Sequence, residues 1–203
     1  NVENLKNEGI EENKIKLTGS TVYSALKRLN ISESSNYRND FLLLTLHRPE
    51  NVDNQKRLSE IIMGLEKLNY KIIFPIHPRT KDKIESIDNL NTDHIEIIDP
   101  RNYVDFVELI KSSKFIISDS GGLQEEAMIL RKPLLIPRKY TERPELINIF
   151  NLLTYKISEI LSNASEIILD KSSLQETVLT NNLMYGQDEV IDKYLDCINN
   201  EEL

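Results

Sequence analysis

The middle of this sequence predicts an α/β domain with a doubly wound parallel sheet, and three observations carry that expectation. Short, continuous apolar runs alternate with longer amphipathic ones, as strands buried on both faces and wrapped by helices require. The apolar runs are followed by polar turns, one of which carries two glycines, which suits a sheet whose strand ends carry chemistry. Finally, 203 residues with 39% hydrophobic and 29% charged side chains are enough to enclose one sizeable core with an attached tail.

Element by element, the run from Phe41 to Leu46 predicts the first strand of this sheet, interrupted only by Thr45. From Arg57 to Leu68, apolar residues fall at Leu58, Ile61, Ile62, Leu65 and Leu68, spacings of three and four that mark one helix face. Further strands are predicted at Lys71 to Ile76, Ile95 to Ile98, Phe115 to Ser118 and Pro133 to Ile136. The helices between them are predicted at Thr80 to Asp88, Tyr103 to Lys111 and Leu123 to Leu130, with Val104, Val107 and Leu109 or Ile110 of the second turned inward. Five strand signals separated by helical ones make the doubly wound sheet the leading architecture. Before it, a strand at Lys14 to Leu17 and a helix from Thr21 to Leu29 precede a Ser- and Asn-rich linker at Ile31 to Asn39. After Leu146 the signal is mostly helical, best at Ile157 to Leu169 and Glu189 to Ile198.

Composition narrows the function. A net charge of -8 argues against broad nucleic-acid binding, which needs clustered Lys and Arg. No run approaches the ~18 consecutive apolar residues of a membrane span, and no export signal is evident, so a cytoplasmic location is the default expectation. Cys197 is the single cysteine and sits without a Cys or His neighbour, which speaks against a disulfide or a zinc site. The chain opens on Asn1, the expectation being a piece of something longer.

The stretch Ser118-Asp119-Ser120-Gly121-Gly122-Leu123-Gln124-Glu125-Glu126-Ala127 is the most informative. A strand stops at a hydroxyl and two glycines and a helix begins, the outline of an anion site. The plain alternative is a tight turn with Ser120 as the helix N-cap. Glu126 lies a helical turn further on, placed to accept hydrogen bonds from a ribose diol. His47-Arg48 and His77-Pro78-Arg79 each follow a strand directly, so both emerge, with the Ser-Gly-Gly turn, at the strand ends where open sheets bind ligands. A titratable ring beside a permanent cation suits a pyrophosphate. One histidine alone is more often structural. Three polar elements at one edge favour a site. The segment Arg138-Lys139-Tyr140-Thr141-Glu142-Arg143-Pro144-Glu145 is either a solvated charge run or a clamp. Tyr103 and Phe106 are ordinary core or a surface for a base.

Taken together, His47-Arg48-Pro49-Glu50-Asn51, Phe74-Pro75-Ile76-His77-Pro78-Arg79, Asp119 to Ala127 and Thr141-Glu142-Arg143-Pro144-Glu145 resemble, in order and spacing, the C-terminal half of the non-hydrolysing UDP-N-acetylglucosamine 2-epimerases. The resemblance implies a glycosyltransferase-B-like fold, two Rossmann-like domains with the UDP-sugar between them, of which this chain looks like the second. It implies that residues 1–37 are the end of an N-terminal domain plus linker, 38–170 a UDP-binding Rossmann-like domain and 171–203 a helical tail. It further implies that Ser120, Gly121 and Gly122 hold the diphosphate, that Glu126 binds ribose, and that Phe106 lies beside uracil. By the same resemblance His47 is catalytic, Arg48 and Arg143 assist with the anion, and His77 lies near the cleft and an activating second UDP-sugar.

The reaction so implied belongs to polysaccharide biosynthesis: UDP leaves the sugar, the unsaturated intermediate turns, and UDP returns to give UDP-N-acetylmannosamine. No cofactor or metal is called for. Partners are UDP, UDP-N-acetylglucosamine and the missing N-terminal domain or a separate chain supplying it, with a homodimer left open. The family's acidic catalytic residues lie in that missing half, so the chain is expected to be inactive alone. Alternatives are an epimerase of another UDP-acetamido sugar and a non-catalytic nucleotide-sugar-binding module. Leu146 to Lys156 contains no glycine where the family has glycines before the next strand, and Met184-Tyr185-Gly186-Gln187-Asp188 only loosely resembles the family's tyrosine-glycine turn.

Overall fold

A computed structural model of the chain describes residues 2–29, 40–76, 78–87, 90, 92–184 and 190–199. The chain divides into two compact units, residues 1–30 with 183–203 and residues 31–182. The first begins with helices α1 (Val2–Asn7) and α2 (Thr21–Arg28). Ser20 caps α2, its hydroxyl accepting from the Val22 amide at 3.2 Å. The strand predicted at residues 14–17 is absent, because the alternation of Lys and apolar residues there meets no neighbouring strand. A 3-10 turn covers Glu12–Lys14 instead, and Leu17 is 80% exposed.

The second unit holds the sheet. Strand β1 (Leu42–Thr45) is followed by α3 (Pro49–Val52) and α4 (Gln55–Glu66), then β2 (Ile72–Pro75) and α5 (Pro78–Glu85). Next come β3 (Ile95–Ile98), α6 (Tyr103–Ser112), β4 (Phe115–Ser118), α7 (Leu123–Ile129) and β5 (Leu134–Ile136). A sixth strand, β6 (Asn151–Leu153), precedes α8 (Ile157–Ile168) and α9 (Ser173–Thr180). The chain's last described helix, α10 (Val190–Asn199), belongs to the first unit and packs on α2.

All six strands are parallel, in the order β3-β2-β1-β4-β5-β6. The winding direction reverses between β1 and β4, which creates a crevice at the carboxyl ends of those strands. Registers align those ends: Thr45 faces Ser118 and Pro75 faces Ile98. The central strands are buried throughout, Leu42, Leu43 and Leu44 of β1 and Phe115, Ile116 and Ile117 of β4 all being inaccessible. Edge strand β3 is half-exposed, with Glu96 and Ile97 facing out.

The helices follow their sequence patterns with one exception. Leu58, Ile61, Ile62 and Leu65 of α4 are buried as predicted, and Asn54 caps it by accepting from the Arg57 amide at 3.1 Å. In α6, Val107, Leu109 and Ile110 are buried but Val104 is 44% exposed, since it lies one position off the stripe that faces the sheet. The sixth strand went unpredicted because it is three residues long and at an edge. The turn leading into it needs no glycine: Asn148 takes up the left-handed backbone, φ +63°, which asparagine tolerates better than most residues. Its amide bonds to the Asn151 carbonyl at 2.8 Å.

Helices α4 and α8 approach closely at Gly64, where a Cβ would lie 3.3 Å from Ile157 Cγ2 and Leu161 Cδ1. Gly64→Leu is expected to destabilise the protein by ~1–3 kcal/mol through overpacking. Gly64→Ala should be close to neutral, since a helix-propensity gain of ~1 kcal/mol offsets slight crowding. Urea denaturation of both variants checks this, and a well-tolerated leucine would show that the contact is loose.

Candidate functional site

The reversal point carries the polar residues that the sequence singles out. Past the end of β1 the chain runs through His47 and Arg48 into α3, and past the end of β4 through Asp119 and Ser120 into α7. The two loops are joined by Asp119, which is fully buried. Its carboxylate accepts from the His47 amide at 3.1 Å, the Arg48 amide at 3.0 Å and Asn51 Nδ2 at 2.9 Å. The His47 ring completes the set, Nδ1 standing 3.1 Å from Oδ1. Because an ionised carboxylate only accepts, Nδ1 carries the proton and Nε2 is the nitrogen left for a ligand.

Beside these loops lies a cavity of about 250 Å³. Its floor is the strand-end residues Thr45, Leu46 and Pro75. One wall is His47 with Ser120, Leu123 and Glu126, and the other is Pro100, Arg101 and Phe106. Four residues singled out in the sequence, His47, Phe106, Ser120 and Glu126, thus share one cavity. Thr45 Oγ1 and Ser118 Oγ pair at 2.6 Å across the junction of β1 and β4, and Ser118 Oγ accepts from the Ser120 amide at 3.1 Å. Ser120 does not cap α7: the N-cap position is Gly122, without a side-chain cap. A Cβ on Gly122 would meet nothing within 4 Å.

Glu126 is paired with a residue whose role the sequence did not reveal. The Tyr103 hydroxyl donates to its carboxylate. Burial pushes the Glu126 carboxyl above its ordinary range, the tyrosine bond opposes this, and neighbouring Glu125 adds to the rise. The phenol, desolvated and facing that carboxylate, is pushed up to about 12. Arg101 is a second residue missed by the motif reading. Its signal was present, an arginine just beyond a strand, but no histidine or glycine accompanies it.

Arg48 and Arg143 stand outside the cavity lining. Arg48 reaches Glu142 Oε1 at 3.3 Å through Nη2. Arg143 is turned onto Glu125 of α7, with Nε 2.8 Å from Oε1, and Thr141 donates to the buried Gln124 amide oxygen. Residues 141–143 are therefore docked on α7 rather than loose in solvent. His77 and the turn at residues 185–188 lie outside the described residues. Among the described residues no cluster of three His, Cys, Asp or Glu side chains could hold a metal ion, and no helix is long and apolar enough to cross a membrane.

Burial alone would raise the pKa of Asp119, but hydrogen bonds from the His47 ring, Asn51 and the Arg48 and His47 amides outweigh it and hold the carboxyl below its ordinary range. A depressed folded pKa contributes stability above the unfolded value that is lost as pH falls through the folded one. Asp119→Asn should cost about 3 kcal/mol at pH 7. The gap from the wild type, followed by denaturant titration, should narrow in strong acid. A gap independent of pH would place the stabilisation in packing and not in charge.

The sequence pattern of the UDP-N-acetylglucosamine 2-epimerase family matches residues 1–199. A relative named UDP-N-acetylglucosamine 2-epimerase from Methanocaldococcus jannaschii is 44% identical over 188 residues, 83% of this chain and 51% of that protein. One from Pseudomonas aeruginosa, named UDP-2,3-diacetamido-2,3-dideoxy-D-glucuronate 2-epimerase, is 31% identical over 198 residues, 91% of this chain and 53% of that protein. The crystal structure of the M. jannaschii UDP-GlcNAc 2-epimerase in complex with UDP-GlcNAc and UDP superposes with a TM-score of 0.81 at 36% identity, over 97% of this chain and 58% of that one. The chain thus spans about half the length of the curated relatives it matches, and its sheet is of the glycosyltransferase-B-like kind found in such epimerases. With its motifs in register and a family match that runs from end to end of the described sheet, the chain belongs to the UDP-N-acetylglucosamine 2-epimerase family.

Proposed function

We propose that this chain supplies the UDP-binding half of an epimerase that interconverts UDP-N-acetylglucosamine and UDP-N-acetylmannosamine, and that it does not turn over alone. The observation that carries this reading is the convergence of His47, Ser120, Glu126 and Phe106 on one cavity at the reversal point of the sheet. In this reading Phe106 lies beside uracil, Glu126 accepts from the ribose hydroxyls with Tyr103 holding it in place, and Ser120, Gly121 and Gly122 take the diphosphate. Arg48 and Arg143 assist with that charge, and His77 stands near the cleft and the activating nucleotide-sugar.

Chemistry follows from charge. When UDP leaves the sugar, negative charge accumulates on the diphosphate, and preorganised donors there stabilise the transition state more than the bound ground state. His47 is the catalytic group: Asp119 fixes its Nδ1 proton, so Nε2 can meet the reacting portion of the ligand. Removal of the proton at carbon 2 falls to carboxylates in the half of the relatives' length that this chain does not span. That half, whether joined to this chain or separate, is its required partner, and a homodimer remains compatible with the reading. A second reading changes only the sugar, to a diacetamido uronic acid, and is supported by the P. aeruginosa relative.

Calorimetric titration with UDP, UDP-N-acetylglucosamine and ADP, with an epimerisation assay on the same sample, tests the proposal. Uridine-selective binding without turnover is expected, whereas turnover by the chain alone would sink the division of labour. Adding the diacetamido sugar nucleotide distinguishes the two substrates once the other half is supplied. Glu126→Gln should weaken UDP binding by ~1–3 kcal/mol. The same variant should not lower the thermal midpoint at pH 7. A carboxyl whose folded pKa is raised weakens the fold when ionised, a penalty relieved as pH falls through that value. Unchanged UDP affinity would remove Glu126 from the ribose role. In the assembled enzyme His47→Asn should lower kcat far more than it weakens UDP binding, and equal losses would make His47 a simple ligand contact.

A further inference from the structure

The Glu142 carboxylate lies against the Ser120-Gly121-Gly122 turn. A Cβ built on Gly121 would come within 3.2 Å of Glu142 Oε2 and 3.5 Å of Arg48 Nη2. A carboxylate and a guanidinium therefore meet over the backbone that the proposed function gives to the diphosphate. Glu142 is held unequally by two arginines. Arg138 Nη1 engages both of its oxygens, at 3.0 and 2.8 Å, while Arg138 Nε is anchored on Glu50 at 2.9 Å. Arg48 makes one longer contact, Nη2 to Oε1 at 3.3 Å. Its Nε is buried without a hydrogen-bond partner, so Arg48 has donor capacity that Glu142 does not use.

We propose that Glu142 sets the affinity for the diphosphate: its carboxylate competes for Arg48 as an anion of the chain's own and yields Arg48 to an incoming diphosphate while staying on Arg138. The proposal rests on the nucleotide-binding reading above. Both partners are well exposed, with 37% and 45% of their side-chain surface accessible, and such pairs contribute little net stability. The exchange is accordingly cheap for a diphosphate, whose several oxygens can engage Arg48 more fully than one carboxylate oxygen does. The Glu142 carboxylate stays beside the turn, so its repulsion grows with the charge of the ligand and is absent for a neutral one. Glu142 thereby holds down the affinity of charged groups at the turn and leaves the nucleoside untouched.

The test is Glu142→Gln in the full chain, titrated calorimetrically with UDP, uridine and inorganic pyrophosphate. Glutamine keeps the shape and an acceptor for Arg138 and removes the charge. UDP and pyrophosphate should bind about fivefold tighter, the scale of screened repulsion between neighbouring like charges, and uridine should be unaffected. The gain should shrink as salt is raised. Weaker UDP binding with an unchanged thermal midpoint would overturn the proposal and make Glu142 an orienting partner of Arg48. An equal change for uridine would also overturn it, placing the effect in the fold. If the wild type binds UDP and the variant gains nothing, the role of Glu142 falls and the nucleotide reading stands. A wild type blind to both UDP and uridine removes the nucleotide reading itself.

Discussion

The buried carboxylate of Asp119 is the constraint around which the functional edge is arranged. An ionised group is costly to take out of water unless every lone pair finds a donor, and here the donors come from the loop after β1: two amides, the Asn51 amide group and the His47 ring. Satisfying the charge thus fixes that loop to the end of β4. Asn51 extends the connection, because its oxygen accepts from Arg57 Nε at 2.8 Å. Arg57 Nη2 in turn reaches the Pro137 and Tyr155 carbonyls at 3.2 and 3.0 Å, and the guanidinium stacks 4.0 Å from the Tyr155 ring centroid. One chain of polar contacts therefore ties together the ends of β1, β4, β5 and β6.

That arrangement would let an acidic protein take the diphosphate of the proposed function. The carboxylates near the turn are spoken for: Asp119 by amides and His47, Glu125 by Arg143, Glu50 and Glu142 by Arg138. The functional groups that line the cavity are those of His47, Ser120, Arg101, Phe106 and a tyrosine-held Glu126. The net charge of -8 describes the whole chain and says little about this patch. Local pairing decides the field a small ligand meets, since distant surface charges are screened beyond about 8–10 Å.

Most of the architecture was legible because buried parallel strands have a strong local signature. Leu42 to Leu44 and Phe115 to Ile117 read as strands and are inaccessible. The failures have a common cause, which is that pairing is not local. Residues 14–17 alternate like a strand but find no neighbour, whereas residues 151–153, with almost no pattern, are held by pairing with β5 and by a bridge from Asn151 to Ile147. The site divides in the same way. Histidine, glycine turn and glutamate could be picked out by position after strands. Asp119 stood in plain view within its motif, yet its bond to His47 spans 72 residues of sequence and became apparent only with the fold. The Tyr103 hydroxyl on Glu126 and the position of Arg101 are likewise facts of three-dimensional proximity, as is Ser120 leaving the N-cap position to Gly122.

The amides of His47 and Arg48 are bonded to a buried carboxylate just past the end of β4, so their exchange with solvent requires that carboxylate to lose its donors. Releasing them leaves the Asp119 charge buried without those donors, which is costly. This edge of the sheet therefore behaves as a stiff plate. If the proposed function holds, any closing over a nucleotide would come from other parts swinging against that plate, at a rate set where the backbone is not bolted down.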